Sequence, residues 1–324
     1  MSNPILLLSA GGLDSCVTAH RLVTHGFEVH ALHFETGFIP ESRRKTLQCG
    51  AWERLGVTTT TVLDGRAIYA RGLRQPGGGP SEPCLDGRVQ MLRQAAAEAE
   101  RRGIRWLATA DVVGQRRTDQ TRRRLLQIDR DAGVSGRVGR PLANHSLPLE
   151  DPIFDRLPRS ELHGTSRRFQ LRWAETTEGG PWPAPHAGCC RLADRGVAVR
   201  ARDLFAHTRA QPTDDELLSL SLGRHYRLGH AAKAIVPRNH VEGRQLEALF
   251  PAALRGCLRE AAGPSVYLLG DAGPRVLRDL ASLVLGVHRR PAGSTATVTI
   301  LKDGSTDTLV GTAPESAGVE LWRV

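Results

Sequence analysis

Residues 5–15 read ILLLSAGGLDS, and the reading of the whole chain starts from them. Ile5, Leu6, Leu7 and Leu8 are four apolar residues in a row, the content of a short buried strand. Gly11 and Gly12 follow; glycine turns readily at positive φ and lets a ligand approach the backbone with no Cβ in the way. Asp14 and Ser15 then open a helix expected over 15–25, stopped by Gly26. A strand, a glycine turn and a helix N-terminus together offer free N–H groups and a positive dipole end to an anion. The expected anion is a phosphate chain. The Asp14 carboxylate would repel it unless a divalent cation lay between them, so Mg²⁺ is implied, with Asp14 as its ligand. No Gly-Lys-Ser/Thr follows the glycines, which excludes a Walker A loop.

Outward from this loop, strand and helix signals alternate. Residues 27–34 read as a second strand, 42–55 as a helix ended by Gly56, and 57–63, rich in Thr and Val, as a third strand. Residues 85–102 read as a long helix closed by Gly103, and 104–108 as the next strand. The pattern predicts an α/β fold, a parallel sheet with helices on both faces. Ligands of such sheets sit at the carboxyl ends of the strands. The glycine loop, the His33-Phe34 end and the polar loop 109–119 should therefore face one crevice. In that loop Gln115 and Arg116 offer donors to a phosphate or a base edge. Residues 76–83 (PGGGPSEP) are a flexible connection, and 141–195, rich in Pro, Gly and His, are expected to be irregular. From 196 the character changes: helices are expected over 197–207, 214–220 and 274–285, a strand over 266–270 and an edge strand over 295–301. The expectation is two domains, a catalytic one over 1–195 and a small α+β one over 196–324.

The bulk numbers agree with a two-domain chain. A length of 324 residues suits two domains, and 40% hydrophobic residues supply a sizeable core. No run of about 18 apolar residues is present, and no secretory signal, so no membrane association and a cytoplasmic location are expected. Six cysteines (16, 49, 84, 189, 190, 257) are too sparse for a disulfide framework and read as thiols. Lys and Arg exceed Asp and Glu by 44 − 34 = 10, nearly all of it Arg, which favours a polyanionic partner; an arginine-rich genome would leave the same mark. The run RRTDQTRRR at 116–124 is either a grip on a nucleic-acid backbone or a solvated helix face.

Two segments carry thiols in chemically suggestive settings. Cys84, in PCLDGR at 83–88, precedes or opens a helix, where a thiol has a lowered pKa; Arg88 would push the same way, and a half-buried structural cysteine is the alternative. Residues 183–194 read PAPHAGCCRLAD, an irregular loop of the kind that holds reactive groups. Adjacent Cys189 and Cys190 point apart, so at most one is expected to face a given site. His186 there is a base, a ligand or a surface residue. Cys16, Cys49 and Cys257 fall in segments read as helical and are taken as structural.

The order Gly-Gly-x-Asp-Ser resembles the pyrophosphate loop of the PP-loop ATP pyrophosphatases, with Ala10 where that pattern usually has Ser. Four blocks extend the likeness to the thiouridylase-like members related to 4-thiouridine and 2-thiouridine synthases: AGGLDS at 10–15, PCLDGRVQMLRQA at 83–95, 109–133 with RPLANHSLP at 140–148, and PAPHAGCCRLAD at 183–194. GRHYRLG at 223–229 and AKAIVPRNHVEG at 232–243 resemble the small domain of such enzymes and its expected RNA-binding role. The resemblance implies ATP and Mg²⁺, tRNA as substrate, adenylation of a uridine carbonyl oxygen with loss of pyrophosphate, and replacement of that oxygen by sulfur. It places Ala10, Gly11, Gly12, Leu13, Ser15, His33, Phe34, Gln115 and Arg116 around the nucleotide and Asp14 on the metal. Cys84 with Cys189 or Cys190 would carry the sulfur chemistry, as a persulfide, as a disulfide or as ligands of a [4Fe–4S] cluster. Related sequences commonly have Cys-x-x-Cys where this chain has Cys84-Leu85-Asp86-Gly87, so one cluster ligand is missing. No rhodanese-like segment is recognised, so sulfur would come from an external donor: a desulfurase, a carrier protein or sulfide. Two other readings are a PP-loop enzyme that thiolates or amidates a small molecule, and an RNA-binding protein with a vestigial ATP site.

Overall fold

The computed structural model describes residues 3–38, 50–74, 82–116, 120–147, 149, 151–160, 162–184, 191–208, 210–302 and 304–324. It divides into two compact units, Met1–Ala198 and Val199–Val324. No helix among the described residues is long and apolar enough to cross a membrane.

In the first unit, β1 (Pro4–Ser9) leads through the glycine turn into α1 (Leu13–Thr24). The chain continues through β2 (Glu28–Glu35), α2 (Ala51–Arg54), β3 (Thr59–Asp64), α3 (Ala70–Arg74) and α4 (Glu82–Arg101). β4 (Trp106–Thr109), α5 (Arg122–Ala132), β5 (Val138–Gly139) and α6 (Arg168–Thr176) complete the sheet and its cover. The five strands are parallel in the order β3-β2-β1-β4-β5. Strand order reverses between β1 and β4, and the crevice beyond their carboxyl ends is where such sheets bind ligands. Ile5, Leu7, Val29, Ala31 and Ala108 of the strands pack with Leu13, Cys16, Val17, Ala19 and Leu22 of α1. These α1 positions recur every three or four residues, which is why this segment is a helix with one face on the sheet.

The second unit begins inside α7 (Arg195–His207). It contains α8 (Asp214–Ser219), β6 (Arg224–Gly229), β7 (Ala232–Val236), α9 (His240–Leu249), β8 (Leu254–Leu258), β9 (Val266–Gly270), α10 (Pro274–Val287), β10 (Thr295–Lys302), β11 (Ser305–Thr312) and α11 (Ser316–Leu321). Its sheet has the order β11-β10-β8-β9-β7-β6, with antiparallel neighbours throughout. Leu280, Ala281, Leu283, Val284 and Leu285 of α10 bury against it. Gly256 of β8 and Gly311 of β11 let α10 close in, for a Cβ on either would lie 3.0 Å from a side chain of that helix.

Several expectations are corrected. α1 starts at Leu13 rather than Ser15, because the Gly12 carbonyl already accepts from Ser15 and Cys16 N–H at 3.0 and 3.2 Å. The expected helix 42–55 is described only over Ala51–Arg54, and its residues 42–49 lie outside the described residues. The segment 141–195 is not irregular throughout, since it contains α6. The strand near 295–301 is not an edge: β10 pairs with β8 on one side and β11 on the other. Cys257 sits in strand β8, not in a helix, and its thiol donates to the Thr299 carbonyl of the neighbouring strand at 3.8 Å.

Candidate functional site

The glycine turn closes on itself through one side chain. The Ser9 hydroxyl accepts the Gly11 N–H at 3.0 Å, and Gly11 sits at φ +68. Ser9 is buried, so its hydroxyl shapes the loop from beneath. Gly12 caps α1 with extended backbone, and a Cβ built on it would meet no heavy atom among the described residues within 4 Å. This open space lies at the α1 N-terminus, where N–H groups have no helical partner. Leu13 and Ser15 are buried and Ala10 is half-buried.

Asp14 is held from two sides. Its Oδ2 accepts the Gln115 amide at 2.9 Å and its Oδ1 accepts the Gln170 amide at 3.0 Å, while Arg167 Nη2 stands 4.0 Å from Oδ2. Gln115 thus serves Asp14 first, and Gln170 and Arg167 join the site from α6 and its N-cap, where no site residue was expected. A carboxylate has about four acceptor positions, so two amide bonds leave room for a metal. Mg²⁺ commonly takes one or two carboxylates and completes its shell with phosphates and water. No group of three or more His, Cys, Asp or Glu that could share a metal occurs among the described residues. The donor set therefore fits Mg²⁺ that arrives with a phosphate chain.

His33 and Phe34 reach the site only indirectly. Both are buried, with His33 Nδ1 2.9 Å from the Ser9 carbonyl, so the ring ties the end of β2 to the end of β1 under the loop.

The loop after β4 rests on a buried ion network that sequence inspection missed. Asp111 Oδ1 accepts Arg88 Nη2 at 2.5 Å, and Oδ2 accepts the Thr109 hydroxyl at 2.7 Å and Arg140 Nε at 3.4 Å. Arg140 turns its other two nitrogens on Asp129 at 2.8 and 2.7 Å, a bidentate pair. Burial works to raise the Asp111 carboxyl; the Arg88 and Arg140 guanidinium groups and the Thr109 hydroxyl overcome it and hold it well below the usual carboxylate range. Removing one partner of such a buried pair typically costs about 3–5 kcal/mol, so the loop that presents Gln115 and Arg116 is firmly seated.

Cys84 lies in the first turn of α4, buried at 3% exposure. Arg88, expected to act on it, is drawn to Asp111; Arg116 Nη1 stands 3.7 Å from the Cys84 sulfur. Gln115 and Arg116 are neighbours in the chain, so two adjacent side chains reach Asp14 on one side and Cys84 on the other. Cys49, His186, Cys189 and Cys190 lie outside the described residues, as do Arg117, Thr118 and Asp119 of the basic run. Arg191 is described: its N–H donates to the Phe38 carbonyl at 2.9 Å, and the turn Arg191–Ala193 packs against α4.

The Cys-x-x-Cys half of a cluster site does not fit this chain. A Cβ on Gly87 would lie 2.1 Å from the Tyr69 ring. Tyr69 is buried and stacks edge-on against buried Phe38 at 5.4 Å. The aromatic ring fills the volume a second thiol would need.

Residues 1–145 match the model of the thiamine biosynthesis protein ThiI family. A tRNA-specific 2-thiouridylase MnmA of Desulfosudis oleivorans is 48% identical over 48 residues, covering 14% of this chain and 13% of that protein. A tRNA(Ile)-lysidine synthase of Exiguobacterium sibiricum is 28% identical over 177 residues, covering 53% of this chain and 38% of that protein. The chain thus spans well under half the length of either relative. A 4-thiouridine synthetase in complex with RNA and bound ATP superposes with a TM-score of 0.36 at 18% identity, over 63% of this chain and 52% of that one. The 145 matched residues include the glycine turn at 10–15 and Cys84, Asp111, Gln115, Arg116 and Arg140.

Proposed function

We propose that this protein is a cytoplasmic, ATP-dependent tRNA sulfurtransferase. The observation that carries the reading is the pair of adjacent side chains that joins the two halves of the site, Gln115 to Asp14 and Arg116 to Cys84. The open space before Gly12 and the α1 N-terminus suit a phosphate chain, with Ala10, Gly12 and Leu13 lending backbone N–H, while the Gly11 N–H is held by Ser9 and the Ser15 N–H by the Gly12 carbonyl. Mg²⁺ bound to Asp14 would offset the negative charge that gathers as pyrophosphate leaves. A uridine carbonyl oxygen attacks the α-phosphorus, the bond to pyrophosphate breaks, and the oxygen is left as part of an AMP leaving group. A sulfur nucleophile supplied by an external donor then forms the C–S bond as the C–O bond breaks and AMP departs. A desulfurase persulfide passes its outer sulfur to Cys84 and keeps its own thiolate; the resulting Cys84 persulfide is that nucleophile, and Cys189 or Cys190 then attacks the Cys84 sulfur, breaking the S–S bond to free the thiocarbonyl and leaving a Cys–Cys disulfide that an external thiol reductant returns to two thiols.

The tRNA partner is supported by charge as well as by the relatives. Residues 1–198 hold 28 Lys and Arg against 21 Asp and Glu, an excess of 28 − 21 = 7, and residues 199–324 hold 16 against 13, an excess of 16 − 13 = 3. Most of the basic excess therefore sits on the unit with the PP-loop, and the second unit is an RNA contact of secondary weight.

The test is incubation of the full chain with unmodified tRNA, MgATP, a desulfurase with cysteine, and a thiol reductant, followed by nucleoside mass analysis. A thiolated uridine is expected, lost in Asp14→Ala and in Cys84→Ser, with ATP binding kept in the latter. No thionucleoside with any donor, or normal thiolation by Cys84→Ser, overturns the assignment.

A further inference from the structure

We infer that Arg167 grips the phosphate end of the nucleotide from above the glycine loop, and that Gln170 is the positioning residue that aims Asp14. The inference rests on the nucleotide reading of the loop given above.

Helix α6 runs beside α1 in the same direction. Its Gln170 amide meets Asp14, and three residues on Trp173 Nε1 donates to His20 Nδ1 at 3.0 Å. Advancing along one helix advances along the other, so both N-termini point to the carboxyl end of the sheet. The chain leading into α6 is fixed there too. His163 forms a parallel bridge with Val113, and the Gly164 N–H donates to the Val113 carbonyl at 2.8 Å. This segment is therefore tied to the very loop that bears Gln115 and Arg116.

Arg167 stands at the start of α6 with an incomplete set of partners. Its side chain is 19% exposed, its Nη2 is 4.0 Å from Asp14, too long for a hydrogen bond, and its buried Nη1 has no hydrogen-bond partner among the described residues. The Gln170 side chain is fully buried, and its Oε1 also lacks a partner among the described residues. Buried donors and acceptors left unmade are costly, and native proteins keep few of them. A polyanion seated before Gly12 would give Arg167 its acceptor. A planar fork of donors beside a phosphate is a bidentate grip that an ammonium does not reproduce. Gln170 does something different: one amide bond from a buried side chain on a packed helix fixes which way the Asp14 carboxylate faces. The two residues together make α6 the second wall of the phosphate site, with α1 as the first.

Calorimetry on the full chain with MgATP, inorganic pyrophosphate and AMP tests this. Arg167→Ala is expected to weaken MgATP and pyrophosphate at least tenfold and AMP less than twofold, with an unchanged melting temperature. Arg167→Lys should fall between wild type and the alanine variant, and it carries the test if the alanine variant does not fold. Gln170→Leu should raise the Mg²⁺ concentration needed for half-maximal ATP binding at least threefold and leave metal-free ATP binding as it was. Wild-type MgATP affinity in both Arg167 variants, or an equal loss of AMP, overturns the phosphate grip; equal loss with and without Mg²⁺ in Gln170→Leu overturns the aiming role. A wild-type chain that binds no MgATP overturns the nucleotide reading itself and this inference with it.

Discussion

Gly12→Ala separates a glycine needed by the protein from a glycine needed by a ligand. Gly12 has φ −91 and ψ 171, a conformation alanine adopts freely, and an added Cβ meets no heavy atom among the described residues within 4 Å. Two small stability effects then oppose each other. Alanine at a compatible position restricts the unfolded chain and stabilises by about 0.4–1 kcal/mol. Alanine is also a poorer N-cap than glycine, by roughly 0.5–1 kcal/mol. The net change should lie within about 0.5 kcal/mol of zero, a shift of at most ~2 °C in Tm for a unit of this size. Nucleotide binding should respond quite differently. A phosphate oxygen on the loop sits about 2.9 Å from a backbone nitrogen, and the new methyl group would stand in its path. Losing one charge-assisted hydrogen bond costs about 1.5–3 kcal/mol, or roughly 10- to 150-fold in affinity. Thermal melting and MgATP calorimetry on the same preparation read both quantities. A variant that melts with the wild type and binds MgATP within twofold of it would refute the placement of the phosphate chain. Gly11→Ala cannot serve in its place, because φ +68 there imposes about 1–2 kcal/mol of strain on any residue with a Cβ.

Gly87→Cys, which restores the Cys-x-x-Cys spacing, should destabilise the first unit by about 1–3 kcal/mol through overlap with Tyr69 and should bind no cluster; the double variant with Tyr69→Ala should regain part of the loss, and a single variant as stable as wild type would contradict the packing. The second unit should lose stability in mild acid. Burial, aided by the charges of Lys233 and Arg200, holds the His225 imidazole well below its ordinary pKa despite hydrogen bonds to the Leu222 and Ser219 carbonyls. The unfolded chain therefore takes up a proton near pH 6.5 that the folded chain refuses, and stability falls from there downward by up to about 1.4 kcal/mol per pH unit. Denaturant midpoints at pH 7.5, 6.0 and 5.0 measure this, and His225→Phe should flatten the curve; equal slopes in both proteins would refute it.

The residues that were legible in the sequence are those whose chemistry and neighbours lie close together in the chain. The glycine turn needs a strand, two glycines and a helix start within eleven residues, and all of that is local. Cys84 stood out for the same reason, being next to a helix start. α6 escaped notice because its pattern is inverted. Phe169 and Leu171 are 44% and 42% exposed while Gln170 is wholly buried, so the apolar periodicity that announces a helix is absent. Arg167 and Gln170 are 153 and 156 positions from Asp14, and no spacing rule reaches that far. Nothing in the sequence marks Arg140 and Asp129 as the buried pair they form. In the second unit β6 is half polar, β7 and β8 are only five residues long, and β11 shows mostly exposed residues, so alternation is too weak to mark them.

The sequence alone determined the glycine turn between β1 and α1, the parallel sheet that carries it, and the lack of a thiol at position 87. Backbone turns and helix starts are set by the few residues that make them, so that information is already present in the order of the chain. The fold decided the rest: that Tyr69 occupies the volume beside Gly87, that Gln115 and Arg116 point to different partners, and that α6 closes on Asp14. Each of these depends on which side chains compete for one small space, and that competition exists only once distant segments have packed.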